Sequence, residues 1–305
     1  MTKIKFMMLE HSYFNGNYRV SMFSDGTKIR ETEENEFIPS FSENVDVKIT
    51  DACDGGCPFC YEGCTMNGKH ANLFSYPFIN ALHPYTEMAL NGNDLSHPDL
   101  EKFLIFLKDK KVYANITVNQ KHFIKHYNLI KKWSMEELVH GIGVSLNDPC
   151  DDFIEMVTSA PNTVIHAING ILTIDDVNFL KDKGVKVLIL GYKSLRRGEV
   201  YMESCAPEIK RKQDELKSLL PIMINEEWFD VLSFDNLAIE QLDVKSLLPS
   251  EEWDSFYMGD DGDYTFYIDM VKGEYGRNSI STERFPIGDK SIDEMFRHIK
   301  SLKEG

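Results

Sequence analysis

Three cysteines in one short loop are the residues of this sequence best suited to chemistry. Cys53, Cys57 and Cys60 lie within eight residues, whereas the whole chain of 305 residues has six cysteines. Cysteines this close together are more typical of metal ligands, nucleophiles or disulfide partners than of packing residues. Three soft sulfur ligands favour an iron–sulfur cluster or zinc. Gly55 and Gly56 would let the loop backbone approach a bulky inorganic group closely.

The spacing of these cysteines, Cys-x-x-x-Cys-x-x-Cys followed by the aromatic Tyr61, resembles the signature of the radical S-adenosylmethionine (radical SAM) enzymes. The resemblance implies that Cys53, Cys57 and Cys60 hold one [4Fe–4S] cluster, whose fourth iron binds S-adenosylmethionine (SAM). It implies that the reduced cluster cleaves SAM to a 5′-deoxyadenosyl radical, which takes a hydrogen atom from the substrate. An external electron donor of the flavodoxin or ferredoxin type would supply the electron.

Two other interpretations of the cysteines are considered. Cys64 follows the triad closely, so the four thiols could form a structural zinc site. The protein would then be a non-catalytic regulator that binds zinc or an iron–sulfur cluster. Structural zinc sites usually pair two short hooks across a longer loop, and the sequence shows no second hook. A disulfide framework is disfavoured, because six cysteines in 305 residues is not the density of a secreted scaffold. Cys64, Cys150 and Cys205 are interpreted as ordinary thiols, too few for a second cluster.

The charge of the chain bears on its partners. Lysine and arginine number 33 and aspartate and glutamate 49, which gives a net charge of −16. Such a chain repels a phosphate backbone, so nucleic acid is disfavoured relative to a small molecule or a peptide. No apolar run reaches the roughly eighteen residues that would span a membrane, and the N-terminus lacks the apolar region of a secretory signal. A cytoplasmic location is therefore expected.

The elements that must position the cysteines alternate between strand and helix. The segment Val45–Thr50 has the period of a strand, and the cysteine loop follows it directly. Further strands are predicted at 86–92, 112–118, 141–146, 163–168 and 185–190, with helices at 69–82, 98–110, 121–138, 151–158 and 173–183. Repeated βαβ units of this kind predict an α/β fold. The resemblance implies a partial (β/α)6 barrel, and an eight-fold barrel is the alternative because Phe229–Phe234 could add a strand.

Three domains are predicted. Residues 1–44 form an N-terminal extension that covers one end of the core, and residues 45–239 form the radical SAM partial barrel. Residues 240–305 form a small α+β appendage with a hairpin and a closing helix. No cysteine follows Cys205, so this appendage would carry no auxiliary cluster. In either type of barrel the reactive site lies at the C-terminal ends of the strands, where the cysteine loop falls.

The resemblance also implies which strand ends hold SAM. Gly92, Asn93 and Asp94 stand where the family has a Gly-Gly-Glu-type motif for the amino group of SAM, although Asn93 replaces the glutamate. Polar residues after the fourth strand would bind the ribose, and the ends of the fifth and sixth strands would meet the adenine. The residues assigned to SAM are Tyr61, Gly92, Asn93, Asp94, Ser145, Asn147, Ile168, Gly191, Tyr192 and Lys193. Lys193, Arg196 or Arg197 could bind a carboxylate of SAM or substrate. The alternatives are simple turns, strand-end caps and, for Lys193 with Arg196 and Arg197, a solvated basic surface.

The sequence therefore predicts a radical SAM enzyme with a single cluster. A peptide or amino-acid-like substrate is the first choice, because the chain is acidic and has a C-terminal appendage. A nucleoside or nucleotide, in a phage or mobile-element pathway, is the second. The sequence identifies no catalytic acid, base or radical-quenching residue.

Overall fold

A ten-stranded sheet, most of it parallel, forms the centre of the fold. The computed structural model describes residues 8–92 and 94–303. Its strands are β1 (Leu9–Asn15), β2 (Tyr18–Phe23), β3 (Lys28–Glu31), β4 (Asn44–Lys48), β5 (Glu87–Asn91), β6 (Tyr113–Asn119), β7 (Gly141–Ser145), β8 (Thr163–Ile168), β9 (Lys186–Leu190), β10 (Val231–Phe234), β11 (Thr265–Asp269), β12 (Glu274–Gly276) and β13 (Phe285–Pro286). The order in the large sheet is β10-β9-β8-β7-β6-β5-β4-β11-β12-β13. All neighbours from β10 to β11 pair in parallel.

Helices connect and cover these strands. They are α1 (Leu100–Asp109), α2 (Gln120–Lys125), α3 (Tyr127–Met135), α4 (Asp151–Ser159), α5 (Ile174–Leu180), α6 (Arg197–Asn225), α7 (Asn236–Leu242), α8 (Ser250–Phe256) and α9 (Ile292–Ser301), with short 3₁₀ helices at Pro77–Ala81 and Val244–Leu247. Helix α1 buries Leu100, Phe103, Leu104 and Leu107, as its helical spacing predicts. Helix α5 begins with the predicted capping box of Thr173 and Asp176. None of the described helices is long and apolar enough to cross a membrane.

The sequence accounts for six of the eight parallel strands. Strand β10 falls in the segment that suggested an eight-fold barrel, and β11 falls in the hairpin that was expected in the appendage. That hairpin is present, since β11 and β12 pair antiparallel, but β11 also pairs in parallel with β4. Among the described residues no pairing joins β10 to β13, so the sheet is not a closed barrel. The partial (β/α)6 barrel and its domain boundaries stay predictions.

Two helix predictions are corrected. Residues 69–82 are mostly loop, because Ala71 donates its N–H to the carbonyl of Ile49 and the Asn72 side chain forms a turn with the N–H of Phe74. Pro77 then starts a single short 3₁₀ helix. The predicted helix at 121–138 is two helices, α2 and α3, because the backbone leaves the helical region at His126.

The antiparallel sheet β1-β2-β3 lies against the N-terminal ends of the parallel strands. The Tyr18 hydroxyl donates to the Glu43 carboxylate at 2.6 Å, just before β4. Arg30 pairs with the same carboxylate at 2.7 Å. At the start of β9, Lys186 donates to the carbonyl of Asp25 at 2.8 Å. This end of the parallel sheet is therefore covered, and the opposite end carries the cysteine loop.

Candidate functional site

A cavity of about 850 Å³ is lined by residues from all eight of the parallel strands that the structure describes. Its walls include the cysteine loop at the C-terminal ends of the strands, and Asp25, Gly26 and Thr27 of the covering sheet at the other end. Pockets of several hundred Å³ are typical of sites for cofactors and small ligands. The cavity is therefore large enough for a cofactor and a substrate group together.

The cysteine loop brings the three predicted ligands to one wall of this cavity. Cys53, Cys57 and Cys60 are half-buried and all line it. The N–H of Gly55 donates to Sγ of Cys53 at 3.3 Å. A Cβ atom at position 55 would lie 3.2 Å from Sγ of Cys53 and 3.7 Å from Sγ of Cys57. Glycine thus keeps the space between two of the thiols open.

This donor set fits an iron–sulfur cluster chemically. Three soft thiols on one cavity wall, with an open space beside them, are what such a cluster requires of a protein. Among the described residues, no group of three or more histidine, cysteine, aspartate or glutamate side chains lies close enough together to hold a metal ion. Cluster binding would therefore draw the three thiols together, which a loop with two glycines permits.

The pKa values of the thiols are shifted in different directions. Burial raises the pKa of Cys53 and of Cys57. A hydrogen bond from Cys64 lowers the pKa of Cys60, so Cys64 lies beside the triad and also lines the cavity. Metal ligands must be thiolates, and metal binding releases these protons. Cys64 thus lies where a fourth thiol of the four-cysteine zinc interpretation would be needed.

Two arginines fasten the cysteine loop to the start of α6. Arg197 donates from Nε to the carbonyl of Cys57 at 3.2 Å and from Nη1 to the carbonyl of Cys64 at 2.7 Å. Arg196 donates to the carbonyl of Tyr61 at 3.0 Å. These guanidinium groups were candidates for binding a carboxylate of SAM or substrate. The structure instead places them on backbone carbonyls of the loop.

Side chains after β6 hold the other side of the loop. Asn119 directs its amide Nδ2 at Sγ of Cys57, 3.8 Å away. The buried His122 on α2 contacts the carboxylate of Asp54. Asp94 accepts a hydrogen bond from the backbone N–H of Asp54 at 3.2 Å. Part of the segment predicted to bind the amino group of SAM thus braces the cysteine loop.

A network of ion pairs around the buried Lys48 connects the cysteine loop to the neighbouring strands. The ammonium of Lys48 lies 2.6 Å from the Glu62 carboxylate and 2.6 Å from that of Asp51. Asp269 on β11 lies 3.9 Å from it. Burial alone would lower the pKa of Lys48, but these carboxylates raise it, so the lysine stays charged. The network links β4, the cysteine loop and β11.

Most residues assigned to SAM face the same cavity. Those that line it are Tyr61, Gly92, Ser145, Asn147, Ile168, Gly191, Tyr192 and Lys193. Asp94 is directed at the loop, as described above. Asn93 lies outside the described residues. The fold thus brings the ends of β4, β5, β7, β8 and β9 to one cavity. That these residues bind SAM stays a prediction.

Several of these side chains also have partners within the protein. Lys193 lies 4.4 Å from the centre of the Tyr61 ring and donates to the Ser279 hydroxyl at 3.1 Å. The Tyr192 hydroxyl donates to the carbonyl of Gly198 at 2.7 Å. The Gly191 N–H donates to the Asp235 carboxylate at 2.8 Å. Tyr192 and Gly191 are thus held firmly at the cavity wall.

Sequence reasoning missed the polar residues in the middle of the cavity. Asp46, Asn115, His166 and Tyr267 line it from β4, β6, β8 and β11. Burial lowers the pKa of His166 to about 4, so its imidazole is neutral near pH 7. The available signal was a polar residue at an inward position of an otherwise apolar strand, such as Asp46 between Val45 and Val47.

No protein-family model matches the sequence, and no curated protein matches it. Among solved structures, the chain is similar to Streptococcus suis SuiB bound to S-adenosylmethionine, with a TM-score of 0.55 and 15% identity over 87% of this chain and 69% of that one. It is similar to SuiB bound to the precursor peptide SuiA, with a TM-score of 0.53 and 14% identity over 88% and 68% of the two chains. The chain therefore has the same fold as SuiB.

Proposed function

We propose that this chain is a radical SAM enzyme that takes a hydrogen atom from a peptide or amino-acid-like substrate. One observation carries the proposal: Cys53, Cys57 and Cys60 share a wall of the cavity at the C-terminal ends of parallel strands. Reactive sites of (β/α) folds lie at that end. A protein with the same fold was solved with SAM bound, which supports SAM as the cofactor here.

In this proposal the three cysteines are the ligands of one [4Fe–4S] cluster. With SAM bound, the cluster would supply the electron that cleaves SAM to methionine and a 5′-deoxyadenosyl radical. The residues of the chain hold and orient the reactants, and the hard chemistry belongs to the cofactors. Arg197 and Asn119 hold the Cys57 segment in place, and Tyr61, Ser145 and Lys193 face the space beside the thiols.

The peptide substrate has a separate line of support. SuiB was solved bound to the precursor peptide SuiA, and the present chain matches that structure over 88% of its length. The net charge of −16 favours a neutral or cationic substrate over a polyanion. The electron donor would be a flavodoxin or ferredoxin.

Cysteine variants test the ligand assignment. After anaerobic reconstitution, the wild type is expected to hold about four iron and four sulfide per chain, the content of one cubane. Cys57→Ala should lose most of the iron and release no methionine from SAM, because two thiolates hold a cubane poorly. Cys64→Ala, the matched control in the same loop, should keep both properties. A colourless wild type that binds one zinc, lost in Cys64→Ala, would support the regulator interpretation instead.

A further inference from the structure

The imidazole of His166 faces the cavity at a level below the strand ends that are predicted to bind SAM. His166 lies on the same face of β8 as Ile168, two residues before it, and both line the cavity. Two residues of a strand span about 7 Å, which sets the depth of His166 below the end of β8. Val164 and Leu188 beside it give this level of the cavity apolar walls. His166 is therefore placed to meet a group that lies deeper in the cavity than SAM.

A glycine on the neighbouring strand makes room for the imidazole. A Cβ atom at Gly143 on β7 would lie only 2.5 Å from Nε2 and 2.9 Å from Nδ1 of His166. Atoms in proteins do not pack this closely, so a larger residue at position 143 would push the ring away. The imidazole thus rests against the backbone of β7, which fixes its place in the cavity.

A threonine lies on the other side of this glycine. Thr117 on β6 is aligned with Gly143 in the parallel register and lines the same cavity. Neighbouring strands are about 4.8 Å apart, so the Thr117 side chain stands next to the space over Gly143 that the imidazole occupies. His166 and Thr117 therefore place an imidazole and a hydroxyl side by side on one wall.

Both polar groups are free to bind a ligand. Neither the His166 ring nor the Thr117 hydroxyl has a hydrogen bond or an ion pair with another described residue. Both keep accessible surface, whereas Nε2 of His140, another histidine that lines the cavity, has almost none. A ligand that covered these two groups without bonding to them would leave them buried and unsatisfied, which is costly. The wall therefore selects a ligand that forms hydrogen bonds.

The imidazole is uncharged near neutral pH. Burial lowers the pKa of His166 to about 4, helped by the charge of Lys193. The carboxylates of Asp46, Glu62 and Asp235 act on Lys193 and offset its charge. The burial that keeps the imidazole neutral also penalises a charged ligand group at this level of the cavity. A neutral imidazole has one donor and one acceptor nitrogen, so it suits an uncharged polar group.

We propose that His166 and Thr117 form a substrate subsite for a carboxamide group, as in the side chain of asparagine or glutamine. A carboxamide has its donor and its acceptor on separate atoms, so it can bond to the imidazole and to the hydroxyl at once. The subsite deepens the proposed function, on which it rests, because it specifies an uncharged polar side chain of the peptide substrate. That side chain would hold the substrate while another part of it lies near the cysteine loop.

Binding of defined probes to the reconstituted protein with SAM tests the subsite. The probes are the Nα-acetyl N′-methylamides of glutamine, glutamate, lysine and norleucine, so only the glutamine probe has a primary carboxamide. Isothermal titration calorimetry measures their affinities. We expect the glutamine probe to bind at least about tenfold more tightly than the other three, because two hydrogen bonds each contribute a factor of about five.

Variants locate the preference on the wall. His166→Phe keeps a ring but removes both nitrogens, and Thr117→Val removes the hydroxyl at nearly constant volume. Each should reduce the preference for the glutamine probe over the norleucine probe by about fivefold or more. Gly143→Ala should reduce it as well, because it displaces the imidazole without changing it. His140→Phe is the matched control and should keep the preference of the wild type, and thermal unfolding verifies that each variant is folded.

The outcomes separate this proposal from the proposed function. If the wild type binds none of the probes, or binds the norleucine or glutamate probe as well as the glutamine probe, the subsite is refuted. It is also refuted if His166→Phe keeps the preference of the wild type. Cleavage of SAM by the reduced protein without a probe is measured in parallel, and His166→Phe should retain it. A wild type that binds the glutamine probe but cleaves no SAM would refute the proposed function and leave the binding site in place.

Discussion

Replacing Arg197 should loosen the cysteine loop without changing its thiols. The guanidinium makes two hydrogen bonds, to the carbonyls of Cys57 and Cys64. A hydrogen bond to a charged group contributes about 1.5–3 kcal/mol, and Arg197 is half-buried, so the low end applies to each bond. Arg197→Ala should therefore cost the closed loop about 3 kcal/mol, which corresponds to about a hundredfold in its opening equilibrium.

The assay is the rate at which reconstituted protein loses its visible absorbance in the presence of an iron chelator. Arg197→Ala should lose its cluster about a hundredfold faster than the wild type, and Arg197→Lys, which can keep one bond, about tenfold faster. Arg211→Ala is the control, because Arg211 lies on the same helix and pairs with Glu215 at the surface. If Arg197→Ala loses its cluster no faster than Arg211→Ala, the arginine does not hold the loop.

Two further predictions concern stability. Lys48→Met should lower the free energy of unfolding by about 3–5 kcal/mol, since it removes the buried ammonium that pairs with the carboxylates of Glu62 and Asp269. Urea unfolding measures this loss, and a loss below about 1 kcal/mol would contradict the prediction. His166 has a pKa of about 4 in the folded protein, so between about pH 6.5 and pH 4 the unfolded chain takes up a proton that the folded chain does not. Stability should fall by up to about 2 kcal/mol from pH 7.5 to pH 5 through this group alone, and His166→Gln should lose that part of the pH dependence.

The sequence predicted the position of the cysteine loop better than the architecture around it. The cysteine spacing, and the strand Val45–Thr50 before it, were enough to place the reactive end of the fold. Strand β11 was not predicted as part of the main sheet, because pairing between Thr265–Asp269 and β4 joins residues more than 200 positions apart. Local patterns of polar and apolar residues carry no information on such distant partners.

The roles of the polar residues show the same limit. Arg196 and Arg197 stood out in the sequence as a basic pair, but their carbonyl partners lie more than 130 residues away. Asp46, Ala89 and Asn115 lie in one row only because the register of β4, β5 and β6 aligns them. Which residues of distant segments lie side by side on the sheet is defined by strand register, which the sequence alone leaves open.

The most direct test of the central proposal is the release of 5′-deoxyadenosine. Reconstituted protein is reduced anaerobically with dithionite, given SAM and analysed by liquid chromatography with mass spectrometry. We expect 5′-deoxyadenosine and methionine in equal amounts from the wild type and from Cys64→Ala, and neither product from Cys57→Ala. A wild type that holds about four iron per chain yet releases no 5′-deoxyadenosine under these conditions would contradict the assignment of this chain as a radical SAM enzyme.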